Sequence, residues 1–151
     1  VKTGALIVIE QDVKLGDYER TGIVIDAEVT SQLLINIFEH NTPLHDGAVL
    51  IRDNRIVSAT CYLPLSDNLD INKSLGTRHR AGIGVSEVSD SITVIVSEET
   101  GGVSLAYNGM LYRGLTRDNF PAKIEELSKN EPITKKMRWW KGLGKHEKSN
   151  S

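Results

Sequence analysis

The sequence predicts an α/β domain, with a central mixed β-sheet flanked by helices. Three observations lead there. Short apolar runs, richest in β-branched residues at 4–10 and 91–97, recur along the chain, with another at 103–107. Apolar residues at helical spacing fall between or after them, at 30–40, 80–88 and 116–129. Asn108-Gly109 is the strongest short hairpin signal, so some neighbouring strands must run antiparallel. Helices and hairpins interleaved in this way fit a mixed sheet. At 151 residues, the expectation is one such domain.

Taken in order, Gly4 to Glu10 reads as a buried strand, and Gly22 to Asp26 repeats its pattern more briefly. Thr30 to His40 carries Leu33, Leu34, Ile37 and Phe38 at helical spacing, with Thr30 or Ser31 as N-cap. Asn41-Thr42-Pro43 ends it, because proline cannot continue a helix. Ala48 to Ile51 and Arg55 to Leu63 form a hairpin around Arg52-Asp53-Asn54. Pro64 to Gly76 is a long polar loop, and such loops are often functional. Arg80 to Val88 reads as a helix despite Gly82 and Gly84, each costing about 1 kcal/mol. Ser91 to Ser97 is a second buried strand. Val103 to Tyr107 and Met110 to Tyr112 flank Asn108-Gly109. Thr116 to Lys129 is a closing helix with Ile124 and Leu127 facing inward.

Composition narrows the classes. The chain is 39% apolar and 25% charged, which excludes collagen-like, disordered and disulfide-rich scaffolds. A single Cys61 cannot form an internal bridge and fits a reducing compartment. The longest apolar run, Ala5 to Ile9, is far short of the ~20 residues a membrane span needs, and no signal peptide is present. Because the chain begins at Val1, a fragment of a longer protein is expected. Residues 133–151 hold six cations against Glu147 alone, and residues 1–132 hold 12 cations against 19 acids. An acidic body argues against a nucleic-acid surface, but not against one small nucleotide. The domain is therefore expected over 1–132, with 133–151 a basic, disordered tail. That tail pairs its cations with Trp139 and Trp140, a mixture that also suits an anionic membrane surface.

Four segments could carry chemistry. His45-Asp46-Gly47-Ala48 sets an imidazole beside a hard oxygen ligand at a strand entrance, and Gly47 would let a ligand approach the backbone; a plain turn is the alternative. Gly76-Thr77-Arg78-His79-Arg80 opens a helix, where unpaired N–H groups and guanidinium forks suit phosphate; a solvated basic turn is the alternative. Ser97-Glu98-Glu99-Thr100-Gly101-Gly102 could help hold a divalent cation or form an exposed acidic turn. Cys61-Tyr62-Leu63-Pro64-Leu65 could wall a pocket for a flat ring, or simply be core at a strand end.

Together these segments resemble the diadenylate cyclase (DAC) domain family, most closely its membrane-anchored CdaA type. The resemblance runs from about Gly4 to about Lys129. It is most specific at Asp46-Gly47-Ala48 and at the Arg78-His79-Arg80 triplet. It implies condensation of two ATP molecules into cyclic di-AMP with release of two pyrophosphates, and a requirement for magnesium, manganese or cobalt. It implies Asp46, Arg78 and Arg80 as catalytic residues, and His45, Asp46 and Glu99 as metal ligands. Thr77, Arg78, His79, Arg80 and Ser97 would hold phosphates, Tyr62 and Leu63 would lie against adenine, and Gly47, Ala48, Gly76 and Glu98 would complete the substrate site. A twofold-symmetric product implies a face-to-face homodimer. The resemblance also implies a parent protein anchored at the cytoplasmic face of the membrane, this stretch being its soluble part, and regulatory protein partners. Two other functions use the same residues: a non-enzymatic ATP sensor, and a metal-dependent nucleotide phosphohydrolase relying on His45 and Asp46.

Overall fold

Ala5–Ile9 becomes β1, a central strand buried along its whole length. Its side chains alternate between two cores. Ala5, Ile7 and Ile9 enter one, while Leu6 and Val8 enter the other. A strand covered on both faces reads as a continuous apolar run, which is why this segment was so legible. The computed structural model describes residues 3–68, 75–116 and 118–128. The basic tail at 133–151, the expected domain boundary at 132 and part of the polar loop lie outside them.

Beyond β1 the order is α1 (Gly16–Glu19), β2 (Ile23–Glu28), α2 (Ser31–Ile37), β3 (Ala48–Arg52), β4 (Arg55–Cys61) and α3 (Thr77–Val88). Next come β5 (Ile92–Val96), β6 (Val103–Tyr107), β7 (Met110–Leu115) and α4 (Phe120–Leu127). The strands form one seven-stranded sheet in the order β2-β4-β3-β1-β5-β6-β7. Only β1 and β3 pair in parallel; every other neighbouring pair is antiparallel. The mixed sheet expected from the sequence is therefore present.

Helices cover both faces. Leu34, Ile37, Phe38, Phe120 and Ile124, from α2, α4 and their flanks, pack with Ile7, Ile9 and Ile51. Ala81, Ile83 and Val85 of α3 pack with Leu6, Leu50 and Ile95 on the opposite face. Thr30 is the N-cap of α2, its Oγ1 accepting from the Leu33 N–H at 3.1 Å. That helix stops at Ile37, earlier than the periodicity suggests, and the Thr42 hydroxyl donates back to the Ile37 carbonyl at 3.2 Å.

Two departures from the sequence reading have simple causes. The segment at 22–26 was expected to be a buried strand, but β2 lies at the sheet edge, where Ile23 and Val24 are exposed. Its neighbour is set by long-range order, which local pattern does not encode. α3 is buried on consecutive positions from Ala81 to Ser86, so it lacks a polar face and starts three residues before its apolar pattern does. Gly84 is required there, because a Cβ would overlap the Pro64 carbonyl; Gly82 makes similar room for Ile95.

Candidate active site

Strand direction gathers the four candidate segments at one end of the sheet. β1 and β5 are antiparallel, so the start of β1 (Ala5) faces the end of β5 (Val96). Val103 at the start of β6 pairs with Val96, and Leu115 at the end of β7 pairs with Val103. On the other side, Ala48 at the start of β3 pairs with Cys61 at the end of β4. The parallel β1–β3 pairing puts both groups at the same end. An open cavity of about 1010 Å³ lies there. That is at the upper end of the ~300–1,000 Å³ typical of small-ligand clefts.

His45, Asp46, Gly47, Tyr62, Leu63, Gly76, Thr77, Arg78, His79, Ser97, Glu98 and Glu99 all line this cavity. Residues far apart in sequence are thus brought together as expected. Ala48 and Arg80 are not among its lining. Ala48 is fully buried as the first residue of β3, in the α3-side core. Arg80 follows directly on the lining stretch Thr77, Arg78 and His79 of α3. Its guanidinium instead donates to the Ser66 carbonyl at 2.7 Å.

The Asp46 side chain is 84% exposed, with no guanidinium paired to it among the described residues. Beside it, the His45 Nδ1 lies 2.6 Å from the Thr42 carbonyl. A carbonyl can only accept, so Nδ1 carries the proton. In the neutral ring that leaves the Nε2 lone pair free, 3.8 Å from Asp46 Oδ1. A histidine whose other nitrogen is fixed by a carbonyl is a suitable metal ligand. Among the described residues no three His, Cys, Asp or Glu side chains cluster closely enough to hold an ion. Glu99 lines the same cavity but is not clustered with His45 and Asp46 here. Two adjacent donors still fit a hard cation that takes its remaining ligands from phosphate oxygens and water.

Gly47 has φ of +75°, and a Cβ there would press on the Thr60–Cys61 backbone, so packing within the protein itself demands glycine.

The phosphate side is built on the N-terminus of α3. Gly76 is the N-cap and offers no side-chain cap, so the first-turn N–H groups have no side-chain acceptor from the cap. Such a terminus attracts anions. Arg78 approaches Glu98 at 3.4 Å and packs against Gly4, where a Cβ would collide with its guanidinium. Burial pushes the His79 pKa down, and the positive charges of Arg113 and Arg78 push it further, against the opposing pull of Glu99. His79 is therefore held toward its neutral form at pH 7.

Ser97 shapes the loop after β5. Its Oγ accepts from the Glu99 N–H at 3.2 Å and from the Thr100 N–H at 3.3 Å. A hydroxyl has two acceptor lone pairs and one proton. With both lone pairs engaged, the O–H remains available to donate to an anion. Across the cavity Tyr62 is 71% exposed, leaving its ring face open. Cys61 is buried and burial pushes its thiol pKa up, although Ser58 pulls the other way, so it stays an unreactive thiol.

The sequence reading missed the lining residues outside its four segments, among them Ser104, Arg113 and Gly114. Only the glycine left a trace in the sequence, and its meaning depends on the sheet register.

Residues 1–111 match the family described as DAC, DisA bacterial checkpoint controller nucleotide-binding. The chain belongs to this family. Among DAC-family proteins it is 57% identical over 143 residues to the cyclic di-AMP synthase CdaA of Bacillus subtilis, covering 93% of this chain and 52% of that protein. It is 52% identical over 151 residues to a diadenylate cyclase of Listeria monocytogenes, covering 97% of this chain and 54% of that protein. The chain thus spans about half the length of the curated DAC relatives it matches. Its fold resembles the crystal structure of a double mutant of DacA from Staphylococcus aureus, with a TM-score of 0.81, 50% identity and 85% of each chain covered. It also resembles a hypothetical membrane spanning protein from Bacillus cereus, with a TM-score of 0.73, 49% identity, 76% of this chain and 56% of that one covered. Among the described residues of this DAC domain, no helix is long and apolar enough to cross a membrane.

Proposed function

We propose that this chain is the catalytic domain of a diadenylate cyclase, condensing two ATP molecules into cyclic di-AMP. The observation that carries this reading is one cavity whose lining brings an exposed carboxylate, Asp46, together with Thr77 and Arg78 of the α3 N-terminus and with Ser97. A pure ATP sensor has no need of an unpaired carboxylate beside a polyphosphate, because it repels the anion.

The chemistry follows from these groups. The 3′-oxygen of one ATP bonds to the α-phosphorus of the other. The bond from that phosphorus to its bridging oxygen breaks, and pyrophosphate leaves with the electron pair. Asp46 takes the hydroxyl proton and passes it to solvent. The α3 N-terminus, Arg78 and the Ser97 O–H hold the triphosphate in line, which is most of what phosphoryl-type transfer asks of a protein. Tyr62 and Leu63 supply a face for adenine. Asp46 and the His45 Nε2 would hold a divalent cation, magnesium, manganese or cobalt. When bound it neutralises phosphate charge and acidifies the hydroxyl.

Each product needs two such events, and one cavity offers one Asp46. Two copies facing across a twofold axis supply both. The exposed Tyr62 and Leu65 beside the cavity offer apolar area for such a contact. Placement of the longer parent at the cytoplasmic face of a membrane, with regulatory partners there, belongs to the same proposal.

Incubation with ATP and Mn²⁺, with products identified by mass, tests it. Cyclic di-AMP and pyrophosphate are expected, with turnover per chain rising with protein concentration in the dilute range. AMP or ADP alone would mean a hydrolase, and bound but unchanged ATP would mean a sensor. Constant specific activity down to nanomolar protein, together with a monomeric state there, would remove the dimer.

A further inference from the structure

We propose that Arg113 is a further phosphate-binding residue of this cavity, gripping the polyphosphate end of the nucleotide from the β7 side. The inference deepens the reading of the cavity as an ATP site and rests on it.

The first support is the sheet register. Leu105 pairs with Tyr112 and Val103 pairs with Leu115, so between these pairs one residue of β6 is matched by two of β7. The extra residue falls at Arg113-Gly114, opposite Ser104. Gly114 has φ of +73°, a left-handed conformation that other residues rarely adopt. This is a β-bulge. Bulges occur beside active sites, where they re-aim a side chain. Arg113, Gly114 and Ser104 all line the cavity.

The second support is the state of the other cations. Arg78 is within 3.4 Å of Glu98, and Arg80 is committed to the Ser66 carbonyl. His79 is held toward its neutral form. Arg113 is exposed at the cavity wall, with no carboxylate within ion-pair distance among the described residues. A triphosphate carries several negative charges, and a guanidinium presents paired N–H groups that match phosphate oxygens. Among the described lining residues Arg113 is thus a cation without a carboxylate partner, near enough to the α3 terminus for its charge to act on His79.

The test compares wild type, Arg113→Lys and Arg113→Ala. Inorganic pyrophosphate, ATP and AMP serve as calorimetric probes, alongside steady-state kinetics. Arg113→Ala is expected to weaken pyrophosphate and ATP binding by about tenfold, as loss of one charge-assisted contact does. AMP binding and melting temperature should not move, KM for ATP should rise more than kcat falls, and Arg113→Lys should recover part of the loss. Unchanged pyrophosphate affinity, or an equal loss for AMP, would overturn the inference. A wild type that makes no cyclic di-AMP would instead sink the cyclase reading, and the pyrophosphate comparison would still judge Arg113.

Discussion

Arg80 and Ser66 hold each other twice: the Arg80 guanidinium donates to the Ser66 carbonyl at 2.7 Å, and the Ser66 N–H donates to the Arg80 carbonyl at 3.0 Å. The Ser66 hydroxyl reaches on to Glu87 at 2.9 Å. The segment after Tyr62 and Leu63 is thereby tied to α3. Arg80→Ala should lower stability by about 1–3 kcal/mol, the usual range for losing a charged hydrogen bond to a part-buried acceptor. Pyrophosphate affinity should stay within about twofold of wild type in the protein that remains folded. A phosphate-gripping Arg80 would reverse this pattern, with affinity lost and melting temperature kept.

Asp46→Asn should reduce cyclic di-AMP formation by about a hundredfold or more, the scale of losing a general base. Because the side chain is exposed and meets no lysine or arginine among the described residues, thermal unfolding should be unchanged. Mass-spectrometric product counts read the first effect and calorimetry the second. Near-normal synthesis would remove Asp46 from the chemistry.

Two glycines separate folding from function. At Gly4 a methyl group meets only the mobile end of Arg78, so Gly4→Ala should leave stability nearly intact while displacing that guanidinium and raising KM for ATP. At Gly84 it meets the Pro64 backbone, which cannot rotate away. Gly84→Ala should cost at least about 1–3 kcal/mol through overpacking. Equal melting temperatures for the two variants would contradict these contacts.

Two pH windows are expected. Burial pushes His79 below its usual value near 6.5, helped by Arg113 and Arg78. The unfolded chain therefore binds the proton first, and the stability tied to neutral His79 is present above about pH 6.5 and declines as pH falls below it. Glu10 behaves in the opposite chemical sense but declines in the same direction. Burial raises its pKa, yet the Arg52 hydrogen bonds, the Leu15 N–H and the charges of Arg52 and Lys14 outweigh burial and hold it below 4.5. Its contribution is present above about pH 4.5 and disappears as pH falls through its lowered folded value. Melting temperature against pH should fall in two steps, and His79→Gln should flatten the upper one. Superimposable curves for wild type and His79→Gln between pH 5 and 7 would exclude that origin.

Much of this architecture is legible locally. The apolar run of β1 announces a doubly covered strand, Thr30 caps α2 as its side chain suggests, and Asn108 and Gly109 take φ of +53° and +78° in the expected tight hairpin. Asp46, Arg78 and Ser97 are legible as cavity residues because their types suit phosphate or metal chemistry. What stayed hidden depends on long-range pairing. α1 has four residues and too little apolar pattern to be seen. Arg80 turns to the Ser66 carbonyl, a partner 14 residues away that the triplet itself does not reveal. Arg113 gains its place only through the bulge against β6, and no local pattern reports a register shift between strands.

β1 has a consequence beyond its burial. It separates β2, β4 and β3, which lead to Asp46, from β5, β6 and β7, which carry the Ser97 loop and Arg113. The proposed proton acceptor, Asp46, and two of the proposed anion-binding groups, Ser97 and Arg113, therefore sit on opposite banks of a single five-residue seam. Strain along that seam would spoil alignment before it spoiled affinity, leaving a protein that still holds its nucleotide but no longer joins it.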